Sequence, residues 1–274
     1  MKKIFIAAGW IAMYLFIYLM ANIIVGLGLI LVYMFSLFGE RTTMHPMEFL
    51  FENFMPMMLA ASVLAIILYY LIFIIRGVNL NKYTRLKKMP AIRVAVSALM
   101  GAGIALLLNG ILPLVEIEQI LPTDLTDLDA LLTSDSFILT LLTVGIVVPI
   151  FEELLFRGLI FKALKWAIPL WPALILQGLV FGAIHLNWFQ FIYAFPLGIY
   201  LGVIYLQFRS LWAPILVHLF WNSTSVVLSF ISPDQLTLYH LLVWAAVGLL
   251  LVALAMTLYY TRARNWRPGT KSLE

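Results

Sequence analysis

The hydrophobic residues of this chain fall into long runs that are separated by short polar segments. Eight runs approach or exceed the roughly 20 apolar residues of a membrane-spanning helix. They cover about residues 4–35, 54–75, 91–112, 137–160, 170–187, 189–208, 211–231 and 239–260. Unpaired backbone groups are not tolerated in hydrocarbon, and these runs are too long for barrel strands. The pattern therefore predicts an all-α, polytopic membrane protein with about eight transmembrane helices.

The composition agrees with this class of protein. The chain is 64% hydrophobic and 11% charged, with a mean hydropathy of +1.04, whereas soluble domains are nearer half apolar and a quarter charged. The basic start Met1-Lys2-Lys3 resembles a signal peptide, but the apolar run after it is too long, so we interpret it as a retained first span. The chain has no cysteine, which excludes disulfides, thiol nucleophiles and cysteine-bound metals.

The charged residues are sorted between the two sides of the predicted topology. Every lysine and arginine except Arg41 falls on one side, and the loops on the other side are acidic. By the positive-inside rule, we expect a multi-pass protein of the cell membrane with both termini in the cytoplasm. The net charge of +4 is then explained by orientation and by contact with anionic lipids of the bilayer, and no nucleic-acid partner is expected.

The polar residues divide the chain into three regions. We predict N-terminal helices and an acidic outer loop at 1–136, a catalytic core with spans 4 to 7 at 137–231, and a last span with a basic cytoplasmic tail at 232–274. The core holds nearly all polar groups of the spans, and such groups are candidates for function because each costs free energy in the bilayer. They are Glu152, Glu153, Arg157, Gln177, His185, His218 and Asn222.

The spacing of these residues predicts which side chains share a helix face. Glu153 and Arg157 are four residues apart, so they share a helix face and can form an ion pair. His218 and Asn222 are also four residues apart and share a face. Glu152 points about 100° away from Glu153 and is free to face another group.

This set of residue types suits peptide-bond hydrolysis in a membrane cavity. A glutamate can act as the base for a water molecule, and a histidine or an asparagine can donate to the oxyanion. A zinc ion held by a glutamate and two histidines is an alternative, although no HExxH motif is present. A transporter or a non-enzymatic scaffold is a second alternative, but the polar groups cluster at one depth and no inverted repeat is visible.

Three segments in the predicted core resemble the motifs of a known family. E-E-L-L-F-R at 152–157, F-G-A-I-H at 181–185 and H-L-F-W-N at 218–222 match the patterns EExxxR, FxxxH and HxxxN. Each pattern is weak alone, but the three occur in order on separate predicted spans. The chain thus resembles the CAAX protease and bacteriocin-processing (CPBP or Abi) family of intramembrane endopeptidases, which is related to the type II CAAX prenyl endopeptidases.

The resemblance implies a fold and a set of roles. It implies about eight helices around a membrane-embedded catalytic cavity that is open to the cytosolic side, and a membrane-associated peptide or protein as substrate. Glu152 would activate the water with help from His185, and the pair His218 and Asn222 would stabilise the oxyanion. Glu153 and Arg157 would support the site. The implied mechanism is of the glutamate type and needs no cofactor, with zinc as the alternative.

The predicted depths of these residues do not fully agree. At about 1.5 Å per residue, Glu152 lies ~22 Å from the outer end of span 4 and His218 lies ~12 Å from the inner end of span 7. Both counts place the residues near the inner leaflet. By the same count, His185 lies ~20–24 Å from the inner end of span 5 and therefore too far out. We expect span 5 to begin deep in the membrane or to tilt.

Overall fold

The architecture is helical throughout the part of the chain that the computed structural model describes, which is residues 1–39, 43–115, 136–232 and 236–264. The helices are α1 (Lys2–Phe38), α2 (Pro46–Glu52), α3 (Phe54–Ile75), α4 (Leu80–Thr84), α5 (Ala91–Ile111), α6 (Phe137–Ala167), α7 (Leu170–Ala183), α8 (Trp188–Phe208), α9 (Trp212–Ile231) and α10 (Leu238–Leu258). The all-α membrane fold is thus confirmed. Most of the predicted acidic outer loop (116–135) and the last part of the predicted basic tail (265–274) lie outside the described residues.

Seven of these helices are long and apolar enough to cross a membrane, namely α1, α3, α5, α6, α8, α9 and α10. The eighth apolar helix, α7, has 14 residues and is only about 21 Å long, which is less than the ~30 Å hydrocarbon core. Helix α7 is therefore shorter than the span that the sequence predicts at 170–187. Apolar sequence continues beyond Ala183, but the helix ends there and Leu186 adopts a left-handed conformation with φ of 53°.

Helix α6 is longer than predicted, and its length changes the expected depth of the glutamates. It runs to Ala167 instead of residue 160, so fifteen residues separate Glu152 from each end. Glu152 is therefore about 22 Å from both ends, at the centre of the helix. Two segments of α6 are π-helical, Leu141–Val147 and Leu154–Ile160, and the two glutamates lie between them.

The way in which α7 packs against α6 explains how His185 can lie at the depth of Glu152. Two residues join α6 to α7, and the chain turns back, so that the rings of Phe156 and Phe181 pack edge to face at 5.0 Å. In this antiparallel register, Glu152 on α6 lies opposite His185 just after α7. Glu152 and His185 therefore lie at a similar depth, because each is about the same number of residues from the turn that joins α6 to α7.

Other helices pack against this centre through small residues. Helix α5 contacts α9 and α10, and its approach to α10 depends on glycine. A Cβ atom at Gly248 would lie 2.4 Å from the backbone nitrogen of Leu107 and 2.6 Å from the carbonyl oxygen of Gly103. Small residues allow this close helix contact in a membrane, where van der Waals packing drives association.

The basic segment after α3 is packed into the bundle and is not a free loop. Thr84 is fully buried, and its methyl group would lie 3.0 Å from a Cβ atom added at Gly158 in the second π-helical segment. The Tyr205 hydroxyl donates to the Thr84 carbonyl at 3.0 Å, and the Leu211 amide donates to the Arg85 carbonyl at 3.0 Å. Helix α4 therefore braces the half of α6 that follows the glutamates.

Candidate active site

Glu153 is the centre of a buried polar cluster. Its side chain has no solvent exposure, and its Oε1 accepts hydrogen bonds from Arg157 Nη1 at 2.6 Å and from His218 Nδ1 at 2.9 Å. The pairing of Glu153 with Arg157 that the four-residue spacing predicts is confirmed. A buried carboxylate needs such partners because the cost of removing it from water is several kcal/mol.

Arg157 extends this cluster to the neighbouring helices. It is fully buried, so its charge does not belong to the cytoplasmic surface, where the charge pattern had counted it. Its Nη2 donates to the Gly198 carbonyl on α8 at 3.0 Å, and Gln177 Nε2 on α7 donates to the same oxygen at 2.7 Å. The guanidinium carbon lies 4.4 Å from the ring centroid of Phe181. Arg157 thus holds α6, α7 and α8 together beside the glutamates.

His218 on α9 lies between the two glutamates. Its Nδ1 bonds to Glu153, and its Nε2 lies 3.7 Å from Glu152 Oε2, which is longer than a hydrogen bond. An ionised carboxylate can only accept, so we assign a proton to Nδ1. Glu153 thereby orients the ring and directs Nε2 towards Glu152.

His185 reaches the same cluster through Phe181. Its Nδ1 lies 2.9 Å from the Phe181 carbonyl oxygen, which can only accept, so Nδ1 is the donor and Nε2 is left without this bond. The Phe181 ring packs edge to face against His185 at 5.3 Å and against His218 at 5.8 Å. The three motifs therefore meet in space, but His185 and Glu152 are not directly hydrogen-bonded.

Glu152 differs from Glu153 in exposure and in partners. Its side chain is 15% exposed, against 0% for Glu153, and neither of its oxygens is hydrogen-bonded within the described part of the chain. Phe151, the residue before Glu152, contacts Tyr18 on α1, and their ring centroids are 4.8 Å apart. Of the two carboxylates, only Glu152 is partly exposed.

Asn222 contacts the backbone of α6 at a defect that a proline creates. Pro149 has no N–H, so the carbonyls four and five residues earlier, at Gly145 and Val144, cannot accept a bond from it. Asn222 Nδ2 donates to the Val144 carbonyl at 3.0 Å, and Ser223 Oγ donates to the Gly145 carbonyl at 3.1 Å. Neighbouring side chains commonly satisfy such carbonyls in membranes. Part of the donor capacity of Asn222 is therefore used to hold the helix that carries the glutamates.

Every residue of this cluster except Tyr18 falls within a segment that matches a known family. Residues 134–224 match the family model described as Type II CAAX prenyl endopeptidase Rce1-like. The chain carries an Rce1-like domain. The match covers 91 of the 274 residues and confirms the resemblance to the CAAX protease family that the three motifs indicate. The match supports the interpretation of this chain as a membrane protease. A comparison with curated proteins and a comparison with solved structures found no match.

The described donor groups of the Rce1-like domain are not arranged as a preformed zinc site. Catalytic zinc needs three protein ligands around one point, and the described residues contain no group of three or more histidine or acidic side chains that could hold a metal ion. The Nδ1 atoms of His185 and His218 are bonded to Phe181 and Glu153, which leaves the Nε2 atom of each ring available.

Some contributions to the Rce1-like domain were missed by sequence reasoning. Ser223 follows the third motif but no pattern marked it, and Tyr18 lies on a helix without motifs. Pro149 was a usable signal, since a proline inside a span leaves carbonyls that need donors. The remaining histidines, His45 and His240, lie outside the site and cap α2 and α10.

Proposed function

We propose that this protein is an intramembrane endopeptidase in which Glu152 activates the water that attacks the peptide bond. The observation that carries the proposal is the contrast between the adjacent glutamates. Glu153 is fully buried and bonded to Arg157 and His218, whereas Glu152 is partly exposed and 3.7 Å from His218 Nε2. A base must be able to reach the water molecule from which it takes a proton. Of the two glutamates, only Glu152 is accessible enough for this role.

Glu152 and His185 share the handling of the proton in this proposal. Glu152 accepts a proton from the water as the water oxygen bonds to the carbonyl carbon of the substrate, and that proton later passes to the leaving amine. The Nε2 atom of His185 is free of the Phe181 carbonyl and is the group proposed to hold the water. The antiparallel register of α6 and α7 supports this role, because it brings His185 to the depth of Glu152.

His218 and Asn222 are proposed to stabilise the oxyanion. For this role His218 must carry a proton on Nε2 as well as on Nδ1, and the resulting positive charge is balanced by Glu153 at 2.9 Å. The Asn222 amide has two N–H groups. One donates to Val144, and the second is the proposed donor to the oxyanion. Donors of this kind are held in place before the reaction, which is why each contributes roughly 10²–10³ to the rate.

Glu153 and Arg157 are proposed as positioning residues. Their ion pair is inaccessible to solvent, so neither group can meet the substrate directly. Glu153 sets the orientation of the His218 ring, and Arg157 joins α6 to the carbonyl of Gly198. The proposed substrate is a membrane-associated peptide or protein, and the proposed location is the cell membrane with both termini in the cytoplasm.

A comparison of protein termini in membranes tests the proposed function. The full-length protein and its Glu152→Gln variant are expressed at equal levels, and new N-termini in membrane proteins are identified by mass spectrometry. We expect a set of termini that appears only with the unmodified protein. The Ser229→Ala variant serves as a matched control, since this hydroxyl bonds only within α9 and away from the glutamates.

Two outcomes separate the proposal from its alternatives. Identical termini in all three samples would contradict an endopeptidase and favour a scaffold or a transporter. Termini that persist with Glu152→Gln but disappear with Glu153→Gln would retain the protease and exclude Glu152 as the base.

A further inference from the structure

A long apolar groove lies between the first turns of α1, the end of α6 and helix α7. Its volume is about 390 Å³, and every residue that lines it is apolar. Ala8 and Ala12, one turn apart on α1, form part of its wall and leave it room because their side chains are small. Both alanines are exposed in the structure. The groove is within the ~300–1,000 Å³ range of small-molecule sites.

One end of this groove is basic. Ile4 and Ala167 line the groove there, and the Lys3 ammonium lies 5.6 Å from the ring centroid of Trp166. Lys165 is the residue before Trp166, and both lysines are exposed. Tryptophan and lysine side chains of this kind are typical of the boundary between hydrocarbon and headgroups. The groove therefore opens at the level of lipid headgroups beside two positive charges.

No carboxylate of the described residues lies beside this basic end. The structure describes four acidic side chains, all glutamates: Glu152 and Glu153 in the site, and Glu48 and Glu52 on α2. Helix α2 packs at the opposite end of α1, where the rings of Tyr33 and Phe49 are 5.0 Å apart. The two lysines at the groove are thus available to a negatively charged ligand.

The other end of the groove approaches the candidate active site. Leu15 lines the groove, and Tyr18 is the next residue on the same face of α1. The Tyr18 ring lies 4.8 Å from the ring of Phe151, the residue before Glu152. From Ile4 to Leu15 the groove follows about 16 Å of helix. An apolar chain that enters beside Lys3 therefore ends one helical turn from Tyr18, which packs against the residue before Glu152.

We propose that this groove binds an acyl chain of an anionic phospholipid, whose phosphate lies between Lys3 and Lys165. The apolar lining fits a hydrocarbon chain and offers no donor or acceptor to an extended peptide backbone, which disfavours an extended protein segment. The pair of lysines favours an anionic headgroup over a zwitterionic one. The lipid occupies the wall of the site next to α1, a role that does not depend on the proposed peptidase activity.

Native mass spectrometry of the full-length protein tests this proposal. The protein is equilibrated with vesicles that contain equal amounts of phosphatidylglycerol and phosphatidylcholine, and the lipids that it retains are counted. We expect preferential retention of phosphatidylglycerol. Ala8→Phe with Ala12→Phe, which fills the groove, is expected to lower that retention about tenfold. Ala253→Phe, at an exposed alanine of α10, is the matched control and is expected to leave retention unchanged.

The charge at the rim is tested separately. Lys3→Gln with Lys165→Gln is expected to reduce the preference for phosphatidylglycerol about fivefold or more, because each basic residue near a headgroup contributes to anionic-lipid binding. Equal retention of the two lipids by the unmodified protein would overturn the proposal, as would retention that the groove-filling substitutions do not change. Since lipid retention is the readout, a failure here is distinct from a failure of the proposed peptidase function.

Discussion

His218 Nδ1 lies 2.9 Å from Glu153 Oε1, and this contact decides how the histidine ring faces Glu152. The bond uses the nitrogen nearer the backbone and leaves Nε2 at 3.7 Å from Glu152 Oε2. Two neighbouring glutamates therefore serve the same histidine in different ways. Glu153 bonds to Nδ1 on the buried side of the ring, and Glu152 lies near Nε2 on the more accessible side.

The two glutamates are expected to differ in their effect on stability. Glu153→Gln leaves the buried Arg157 without a counter-charge, and breaking a buried pair costs about 3–5 kcal/mol. We expect a large fall in the apparent melting temperature of the purified protein. The melting temperature is measured by tryptophan fluorescence, with all variants in the same detergent. Glu152→Gln replaces a carboxylate that has no hydrogen bond. This variant is therefore expected to have a melting temperature close to that of the unmodified protein. An equal fall for both variants would contradict this assignment.

The two histidines are expected to differ when activity and stability are measured together. His185→Ala and His218→Ala should each reduce proteolysis by roughly 10²-fold or more, through loss of water activation and of oxyanion stabilisation. His218→Ala should also lower the melting temperature, because Glu153 loses one of its two donors. His185 bonds only to a carbonyl in its own motif, so His185→Ala should unfold near the unmodified protein. Full activity of either variant would remove that histidine from the mechanism.

Pro149 and Ser223 are expected to be coupled in stability. Ser223→Ala removes the donor to the Gly145 carbonyl and should cost about 0.5–1.5 kcal/mol. In the Pro149→Ala background, the new N–H can bond to that carbonyl, so the same change at Ser223 should cost less. A double-mutant cycle on unfolding measures the difference.

Ser229→Ala is the control for this cycle, since its hydroxyl donates to Val226 in α9. It should show no coupling to Pro149→Ala. Equal costs of Ser223→Ala in the two backgrounds would mean that Ser223 does not replace the missing proline donor.

The proposed orientation can be tested with single cysteines, because the chain has none of its own. Glu48→Cys and Lys88→Cys are at exposed positions in segments that the charge pattern assigns to opposite sides. A membrane-impermeant maleimide should label Glu48→Cys on intact cells and Lys88→Cys only after permeabilisation. The reverse pattern would invert the proposed topology.

Metal independence is a further expectation of the glutamate mechanism. A purified preparation treated with a strong chelator and then dialysed should retain its proteolytic activity. Activity that disappears and returns on addition of Zn²⁺ would favour the zinc alternative. Glu152→Gln, treated in the same way, controls for a contaminating metalloprotease.

The sequence by itself was sufficient for the helical membrane fold and for the pairing of Glu153 with Arg157. Apolar runs of about 20 residues leave few structures other than helices, and residues four apart must share a helix face. The three motifs indicated the family because each lies on a separate run. These conclusions depend only on local geometry and on the cost of exposing backbone to hydrocarbon.

The tertiary structure alone decided which groups meet. Nearly every face of these helices is apolar, so periodicity cannot reveal how α9 is rotated against α6 or that His218 bonds to Glu153. The early end of α7, the length of α6 and its π-helical segments depend on packing between helices, as does the contact of Tyr18 with Phe151. Donors from α9 at the carbonyls near Pro149 complete the frame that places one glutamate in the interior and leaves the other accessible.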